Sequence, residues 1–243
     1  MRVLSLDTTT RAGSVAIVID DRVVYAERGD ERRSHTERLP ADVMRALEAA
    51  SLASADIDVW AVGSGPGSFT GLRTGIATIQ GFALVHGSRV VPVSALMALA
   101  AAASVDRSDG EFVGAWTDAH RGDVFSALYR TRSGAALDRS LEEQEGASVG
   151  LPADTWARWR SRDAQPVALI GDGAALYRQH IDGGVAVLAA PDLAPWIGRI
   201  AHARALAGET IGPGGIQPLY VRRPDVEIAR DSKDAGRHAA RLD

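Results

Sequence analysis

The chain contains no cysteine among its 243 residues. A disulfide framework, a thiolate metal site and a cysteine nucleophile are therefore excluded. Lysine is almost as scarce, because Lys233 is the one lysine among 27 basic residues. The resulting bias toward arginine reflects coding composition, and we infer no function from it.

Aromatic side chains and excess positive charge are also in short supply. Aromatic residues make up 5% of the chain and lie scattered, and the formal net charge is -4. A surface that stacks RNA bases needs clustered aromatic rings, and a protein that wraps nucleic acid needs cations to neutralise phosphates. We therefore expect any RNA to be held by a partner protein rather than by this chain alone.

Long apolar runs are missing as well. The longest, SALMALAAAASV, is too short to span a bilayer, and Asp7 interrupts the N-terminal segment where a signal peptide would be apolar. Hydrophobic residues at 46% and charged residues at 24% are typical of a folded globular protein. We expect a cytoplasmic protein that does not associate with membranes.

Apolar periodicity in the first half predicts three strands joined by tight turns, hence an antiparallel arrangement. A helix follows, in which Leu39, Val43, Ala46 and Ala50 share one face. The predicted elements are strands at 3–7, 14–19 and 23–27, a helix at 35–51, strand VWAVG, a helix at 70–87, strand VVPV and a helix at 94–104.

The second half repeats this order of elements. Its predicted elements are strands EFVGAW and DVFSALYR around the turn TDAHRGD, a third strand within 136–148, a helix at 153–162, strand VALIG, a helix at 173–180, strand VAVL and a helix at 193–207. The duplicated order βββαβαβα predicts an α/β fold of two like lobes, 1–104 and 105–222, with a cleft between them. The segment 223–243 lacks an apolar period and is predicted to be a flexible tail. A doubly wound Rossmann sheet is the alternative, although it needs parallel crossovers in place of these short hairpins.

The stretch GSGPGSFTGLRTG, residues 63–75, lies between a predicted strand and a predicted helix. Free backbone N–H groups and the helix dipole at such a place can bind an anion. However, no register supplies the lysine of a Walker A loop, and the glycine spacing does not match GxGxxG. Two interpretations remain open, an anion site and a tight strand-to-helix turn whose glycines permit close packing.

The predicted helix 70–87 carries two stripes of apolar or small residues. Leu72, Ile76, Ile79 and Ala83 form the stripe that we expect to face the sheet. The second stripe consists of Gly71, Gly75, Thr78, Phe82 and Val85. Small residues let another helix approach closely, so we predict that a protein partner packs on the second stripe. The alternative is that helix 35–51 of the same lobe covers it.

The segment GPGSFTGLRTGIATIQGFA, together with LSLDTTT, VSALMALA, TDAHRGDVFSALY and PLYVR at 218–222, closely resembles the TsaB (YeaZ) family. The resemblance implies a two-lobed, actin-like fold of the ASKHA superfamily, which is ribonuclease H-like. It also implies a noncatalytic scaffold or activator of a TsaD-like subunit that forms threonylcarbamoyladenosine in tRNA beside the anticodon. A TsaE-like ATPase in the assembled complex, indirect contact with tRNA and a homodimer of the free chain are further implications.

The resemblance also bears on metal binding. TsaD proteins have two metal-ligating histidines four residues apart, where this chain has Ala95 and Leu99. The six histidines here never lie three or four apart, which excludes an HExxH site. We therefore expect no metal site and no catalytic residue in this chain. Two alternatives remain: a self-sufficient actin-like ATPase or kinase and, third, a glycoprotease-like hydrolase, for which the metal ligands are missing.

The superfamily binds adenine nucleotides between its lobes, and the resemblance implies that this chain keeps a vestigial form of that cleft without requiring a cofactor. The candidate residues lie in the two hairpin turns and in the later GDGA segment: Asp7, Thr8, Thr9, Asp118, Gly171 and Gly173. The alternative for the Asp and Thr turn is that it satisfies its own backbone. In the second turn, the bulky His120 and Arg121 stand where a glycine-rich phosphate loop is expected.

His35, Asp118 and Asp123 have two interpretations each. His35 precedes the first helix and either donates to an anion or caps the helix. Asp118 and Asp123 flank the second turn and form either a carboxylate pair for acid–base chemistry or solvated turn residues.

Overall fold

Two five-stranded mixed sheets with flanking helices form the frame of the computed structural model. The structure describes residues 1–222 except 133, 135, 136 and 138. The predicted tail, 223–243, lies outside the described residues. Among the helices that the structure describes, none is both long and apolar enough to cross a bilayer.

The first sheet has the strand order β3-β2-β1-β4-β5, with β1, β2 and β3 antiparallel and β4 and β5 parallel to β1. Its elements, with the helices that follow them, are β1 Arg2–Asp7, β2 Ser14–Ile19, β3 Arg22–Arg28, α1 His35–Ala49, β4 Val59–Gly65, α2 Phe69–His86, β5 Arg89–Ser94 and α3 Ala95–Ser104. The three predicted antiparallel strands are confirmed. Leu72, Ile76, Ile79 and Ala83 of α2 are buried, as the first stripe predicts, and the last three lie in the core that includes β1 and β4.

The second sheet has the equivalent order β10-β9-β6-β7-β8. Its elements are β6 Phe112–Asp118, β7 Val124–Thr131, β8 Leu141–Gly150, α4 Pro152–Ser161, β9 Ala168–Ile170, α5 Asp172–Leu176, β10 Ala186–Leu188 and α6 Ala194–Leu206. Strands β6, β7 and β8 are antiparallel, and β9 runs parallel to β6. The same connectivity in both halves confirms the duplicated βββαβαβα order and the two-lobed, actin-like α/β fold. The antiparallel strands at the start of each lobe rule out the Rossmann alternative.

Two predicted elements need correction. The third strand of the second lobe runs over Leu141–Gly150, later than the range 136–148, because it is a largely polar edge strand in which Leu141 is followed by the polar run EEQE, without an apolar period. The helix predicted at 173–180 is divided into α5 and a separate 3₁₀ turn at Arg178–His180. Between them Tyr177 has φ -106° and ψ 29°, outside the α-helical region.

The two lobes share one apolar core that lies between the sheets. Helix α6, which comes last in the second lobe, packs on β1, β2 and β4 of the first sheet. Helix α3 closes the first lobe in sequence and packs on strands of both sheets. Side chains of both helices, among them Leu96 and Ile197, join valines and alanines of the two sheets in one buried cluster. The division at residue 104 therefore follows the order of the chain, whereas the packing crosses it.

Candidate functional site

A cleft of about 1220 Å³ lies between the two lobes, at the carboxyl ends of the central strands. The hairpin turn after β1 and the glycine-rich loop before α2 line it from the first lobe, and the turn after β6 lines it from the second. The segment 219–222 lines the same cleft. This is where ligands of open α/β sheets commonly bind, beyond the carboxyl ends of the strands.

The buried carboxyl group of Asp7 accepts hydrogen bonds within the first turn. Its Oδ1 atom accepts hydrogen bonds from the backbone N–H of Thr9, at 2.9 Å, and from the Thr9 hydroxyl, at 2.7 Å. The side chain is 2% exposed, so it lies beneath the cleft surface, whereas Thr9 reaches that surface. Burial raises the pKa of Asp7, and the two hydrogen bonds from Thr9 partly oppose this rise. The carboxyl group thus satisfies the backbone of its own turn.

The glycine-rich loop packs directly on this first turn. The backbone N–H of Ser68 donates to the carbonyl of Thr9 at 2.9 Å. A Cβ atom on Gly67 would lie 2.6 Å from the Thr9 carbonyl oxygen. On Gly71 it would overlap the Thr8 carbonyl oxygen, and on Gly75 it would overlap the Thr8 hydroxyl. These glycines let helix α2 approach the turn closely, which is the close-packing interpretation of the motif.

The placement of the second stripe of α2 differs from the prediction. Gly71 and Gly75 are buried against the first turn, and the Phe82 ring stacks on Trp60 with ring centroids 4.9 Å apart. Thr78 is half-buried, and its hydroxyl donates to the Thr74 carbonyl at 2.8 Å. Val85 is the one residue of the five that is exposed, with 78% of its surface accessible to solvent. The second stripe therefore packs mostly within its own lobe, because Thr8 of the first turn contacts Gly71 and Gly75.

A neighbouring face of α2, which shares Val85 with the second stripe, points to solvent. It consists of Arg73, Ala77, Gly81, Leu84 and Val85, which we call the α2 ridge. Leu84 is 67% exposed, and a Cβ atom on Gly81 would meet nothing within 4 Å. Helix α1 packs beside α2, and Met44 of α1 is exposed to solvent. As the alternative predicted, the helix at 35–51 lies against α2. The α2 ridge nevertheless stays exposed to solvent.

The second turn has the same internal arrangement as the first. Asp118 Oδ1 accepts from the backbone N–H of His120 at 2.9 Å, as Asp7 accepts from the residue two positions on. It also accepts from the Tyr177 hydroxyl at 3.2 Å, and the His120 ring lies 3.1 Å from Asp118 Oδ2. Burial and the Asp118 carboxylate raise the pKa of Tyr177. Asp7 and Asp118 thus each accept a hydrogen bond from a backbone N–H of their own turn.

The glycines of the GDGA segment also permit close packing. Gly171 has φ 122°, and a Cβ atom there would overlap the Trp116 carbonyl oxygen. A Cβ atom on Gly173 would lie 2.7 Å from the carbonyl carbon of Thr117. Between the two glycines, Asp172 lines the cleft and accepts from the backbone N–H of Asp118 at 3.1 Å. The adenosine-side role of these glycines stays a prediction.

Two residues of α1 hold the carbonyl groups of the first turn. The His35 ring lies 3.0 Å from the Thr10 carbonyl oxygen and 2.9 Å from an Arg38 guanidinium nitrogen, and burial lowers the pKa of His35. The N-cap of α1 is Ser34, so His35 is not the cap. Arg38 is buried, donates to the Ala12 carbonyl and forms an ion pair with Asp42. Sequence reasoning missed Arg38, although an arginine and an aspartate four residues apart on the apolar face were a signal.

The segment 216–222 crosses the cleft mouth and was predicted only as a family match. Its Leu219 N–H donates to the Ser64 carbonyl at 2.7 Å, and the Tyr220 ring lies 5.2 Å from the Phe69 ring. Arg222 donates to the Ala119 carbonyl at 2.8 Å and forms an ion pair with Asp123. Asp123 therefore faces an arginine, and the two interpretations of Asp118 and Asp123, a carboxylate pair or solvated turn residues, stay predictions. Within the described residues, no group of three or more His, Asp or Glu is placed to hold a metal ion.

Comparison with known proteins gives a consistent result. The family model described as "TsaD: tRNA N6-adenosine threonylcarbamoyltransferase" matches residues 30–179. The "tRNA threonylcarbamoyladenosine biosynthesis protein TsaB" of Escherichia coli K12 is 32% identical over 232 residues, which cover 91% of this chain and 95% of that protein. An uncharacterized protein of Mycobacterium tuberculosis is 32% identical over 230 residues, or 93% of each chain. The structure of YeaZ from Pseudomonas aeruginosa superimposes with a TM-score of 0.74 at 28% identity, covering 90% of this chain and 99% of that one.

Proposed function

Because the chain belongs to the TsaB (YeaZ) family, we propose that it is a noncatalytic scaffold and activator subunit in the synthesis of threonylcarbamoyladenosine in tRNA. Its partner is a TsaD-like catalytic subunit, and a TsaE-like ATPase joins the assembled complex. The partner holds the tRNA, and the assembly works in the cytoplasm.

The observation that carries the partner proposal is the α2 ridge. Leu84 and Val85, which are consecutive residues of α2, are exposed by 67% and 78%. Contiguous exposed apolar side chains commonly mark protein interfaces. Gly81 lies within a helix, where glycine costs about 0.5–1 kcal/mol relative to alanine, and no described residue of this chain comes within 4 Å of a Cβ atom placed there. A helix of a partner that packs closely on Gly81 explains why a glycine stands there.

The same ridge forms the interface of a homodimer of the free chain. An exposed, self-complementary patch can pair with its own copy about a two-fold axis. Binding of the TsaD-like subunit would then displace the second copy, so the two assemblies exclude each other.

The proposal needs no nucleotide turnover by this chain. The carboxylates predicted for a nucleotide cleft are engaged within their own turns, Asp7 by Thr9 and Asp118 by His120 and Tyr177. We expect the purified chain not to hydrolyse ATP. A turnover of about one per second, at the low end of ordinary enzymes, that is abolished by Asp7→Ala would establish the self-sufficient ATPase instead.

The test in cells uses two leucines of equal exposure. Leu84 on the α2 ridge and Leu206 at the end of α6 are each 67% exposed. Depletion of the protein should remove threonylcarbamoyladenosine from digested tRNA, as measured by mass spectrometry. Re-expression of Leu206→Asp should restore the nucleoside, whereas Leu84→Asp should not restore it and should fail to capture the TsaD-like subunit in a pull-down.

Each outcome of this test has a separate meaning. Unchanged tRNA modification after complete depletion contradicts the function. Loss of modification with full rescue and full capture by Leu84→Asp retains the function but removes the ridge from the interface.

A further inference from the structure

The segment from Ile211 to Arg222, which we call the strap, follows the first lobe before it reaches the second. Ile211 forms an isolated antiparallel bridge with Val90 of β5, and Ile216 is buried in the core of the first lobe. Gln80 of α2 donates to the Pro213 carbonyl at 2.9 Å. The strap is thus attached along its length to the first lobe.

At the cleft the strap meets the glycine-rich loop. The Leu219 N–H donates to the Ser64 carbonyl at 2.7 Å, and a Cβ atom on Gly65 would lie 3.0 Å from the Leu219 carbonyl oxygen. The Tyr220 hydroxyl accepts from Arg73 Nε at 3.0 Å. Backbone and side-chain contacts together fix this part of the strap to the first lobe.

The last described residue of the strap contacts the second lobe. Arg222 donates to the Ala119 carbonyl at 2.8 Å and pairs with the Asp123 carboxylate, both in the turn after β6. The two side chains are partly exposed, so water can replace their ion pair when they separate. The strap therefore has a firmly attached part on one lobe and a releasable end on the other.

We propose that the strap is a latch that holds the two lobes together across the cleft mouth, with Arg222 and Asp123 as its releasable end. Helices α3 and α6 join the lobes below the cleft through the shared core. The shared core below the cleft would act as the hinge, and the Arg222–Asp123 ion pair would hold the lobes together at the mouth. Release of Arg222 lets the lobes rotate about the shared core and widens the cleft. The latch does not depend on the identity of the partner.

The absence of cysteine from the chain allows a direct measurement of lobe separation. Ala41 in the middle of α1 and Ala153 in the first turn of α4 are both exposed, and the two helices occupy equivalent places in the two lobes. Spin labels on Ala41→Cys and Ala153→Cys, in full-length chain diluted with unlabelled protein, report the intrachain distance by double electron–electron resonance. Dilution removes distances between two copies of a homodimer.

We expect Arg222→Ala to lengthen the mean label distance and to broaden its distribution. Asp123→Asn, which keeps the size of the side chain and removes its charge, should shift the distribution in the same direction by a smaller amount. The matched control is Arg132→Ala, because Arg132 pairs with Glu142 within the second lobe and should leave the distance unchanged.

Circular dichroism on the same samples verifies that each variant is folded. Unchanged mean and width in both Arg222→Ala and Asp123→Asn would overturn the latch. An equal change in Arg132→Ala would also overturn it, because the effect would then follow from the loss of any surface ion pair. If Arg222→Ala fails to fold, Asp123→Asn decides alone.

Discussion

Gly71 has no side chain because the Thr8 carbonyl oxygen occupies the place of its Cβ atom. Gly81, ten positions later in the same helix, has open space around that place. Packing within the chain therefore requires glycine at position 71, whereas the surface position 81 has room for a side chain. The sequence shows both as glycines of one helix and cannot separate them.

A pair of alanine substitutions tests this difference. Gly71→Ala should lower the free energy of unfolding by about 1–3 kcal/mol, the usual cost of overpacking. Gly81→Ala should raise it by about 0.5–1 kcal/mol, because alanine favours a helix and meets no neighbour. Urea unfolding of both variants gives the answer. Equal effects from the two substitutions would contradict the packing of α2 on the first turn.

Asp7 provides a prediction about pH. Its pKa is raised in the folded state, chiefly by burial, so the stability that it contributes is fully present below the unfolded-state pKa of about 3.9. That contribution is lost as the pH rises through the folded-state pKa. Asp7→Asn keeps an oxygen to accept from Thr9 and removes the charge, so its stability relative to the wild type should increase from pH 3 to pH 7.

A control with the opposite sign accompanies this prediction. The N-terminal ammonium group, as hydrogen-bond donor and neighbouring charge, lowers the pKa of the exposed Asp20. The stability of Asp20→Asn relative to the wild type should therefore decrease over the same pH range. Urea unfolding at several pH values measures both. A relative loss for Asp7→Asn between pH 3 and pH 7 would mean that the Asp7 carboxylate is stabilised in the fold.

At the scale of elements, α1 does more than cover the sheet. Through Arg38 it supports the first turn and so shapes the floor of the cleft. Arg38 and Arg45 both pair with Asp42, but their side chains are 2% and 48% exposed. Removal of one partner from a buried ion pair is far more costly than removal of one from an exposed pair.

The matched pair for this element is Arg38→Ala and Arg45→Ala. We expect Arg38→Ala to lower the free energy of unfolding by about 3–5 kcal/mol. Arg45→Ala should lower it by about 1 kcal/mol or less. Chemical denaturation distinguishes them, and similar losses for the two variants would show that the buried position of Arg38 contributes nothing extra.

Most elements were predictable because their apolar patterns have a clear period. Strands β1 and β2 and helix α1 combine such patterns with recognisable turns, and their predicted ranges agree with the structure to within about two residues. β8 is an edge strand of mixed polar residues, and its first residues carry no such signal. The strap and the inward position of Gly71 were not predictable, because both depend on contacts between segments far apart in sequence.

At the scale of the whole molecule, the exchange of helices between lobes ties their stabilities together. Helix α6 covers the first sheet although it follows the second in sequence, and α3 contacts strands of both. Ile197 and Ile200 of α6 are fully buried in the shared core. Unfolding of the second lobe would pull α6 away and expose apolar residues of β1 and β4 to water, which is unfavourable.

We therefore expect the two lobes to unfold in one cooperative transition. Pulsed hydrogen exchange at increasing urea, read by mass spectrometry, should give the same midpoint for peptides from β1 and from β6. Ile200→Ala should shift both midpoints together, since truncation of a buried isoleucine costs about 2–5 kcal/mol and the cavity lies in a core that both lobes share. Two separate midpoints, or a shift confined to the peptides of one sheet, would mean that the lobes unfold as independent domains despite the shared core.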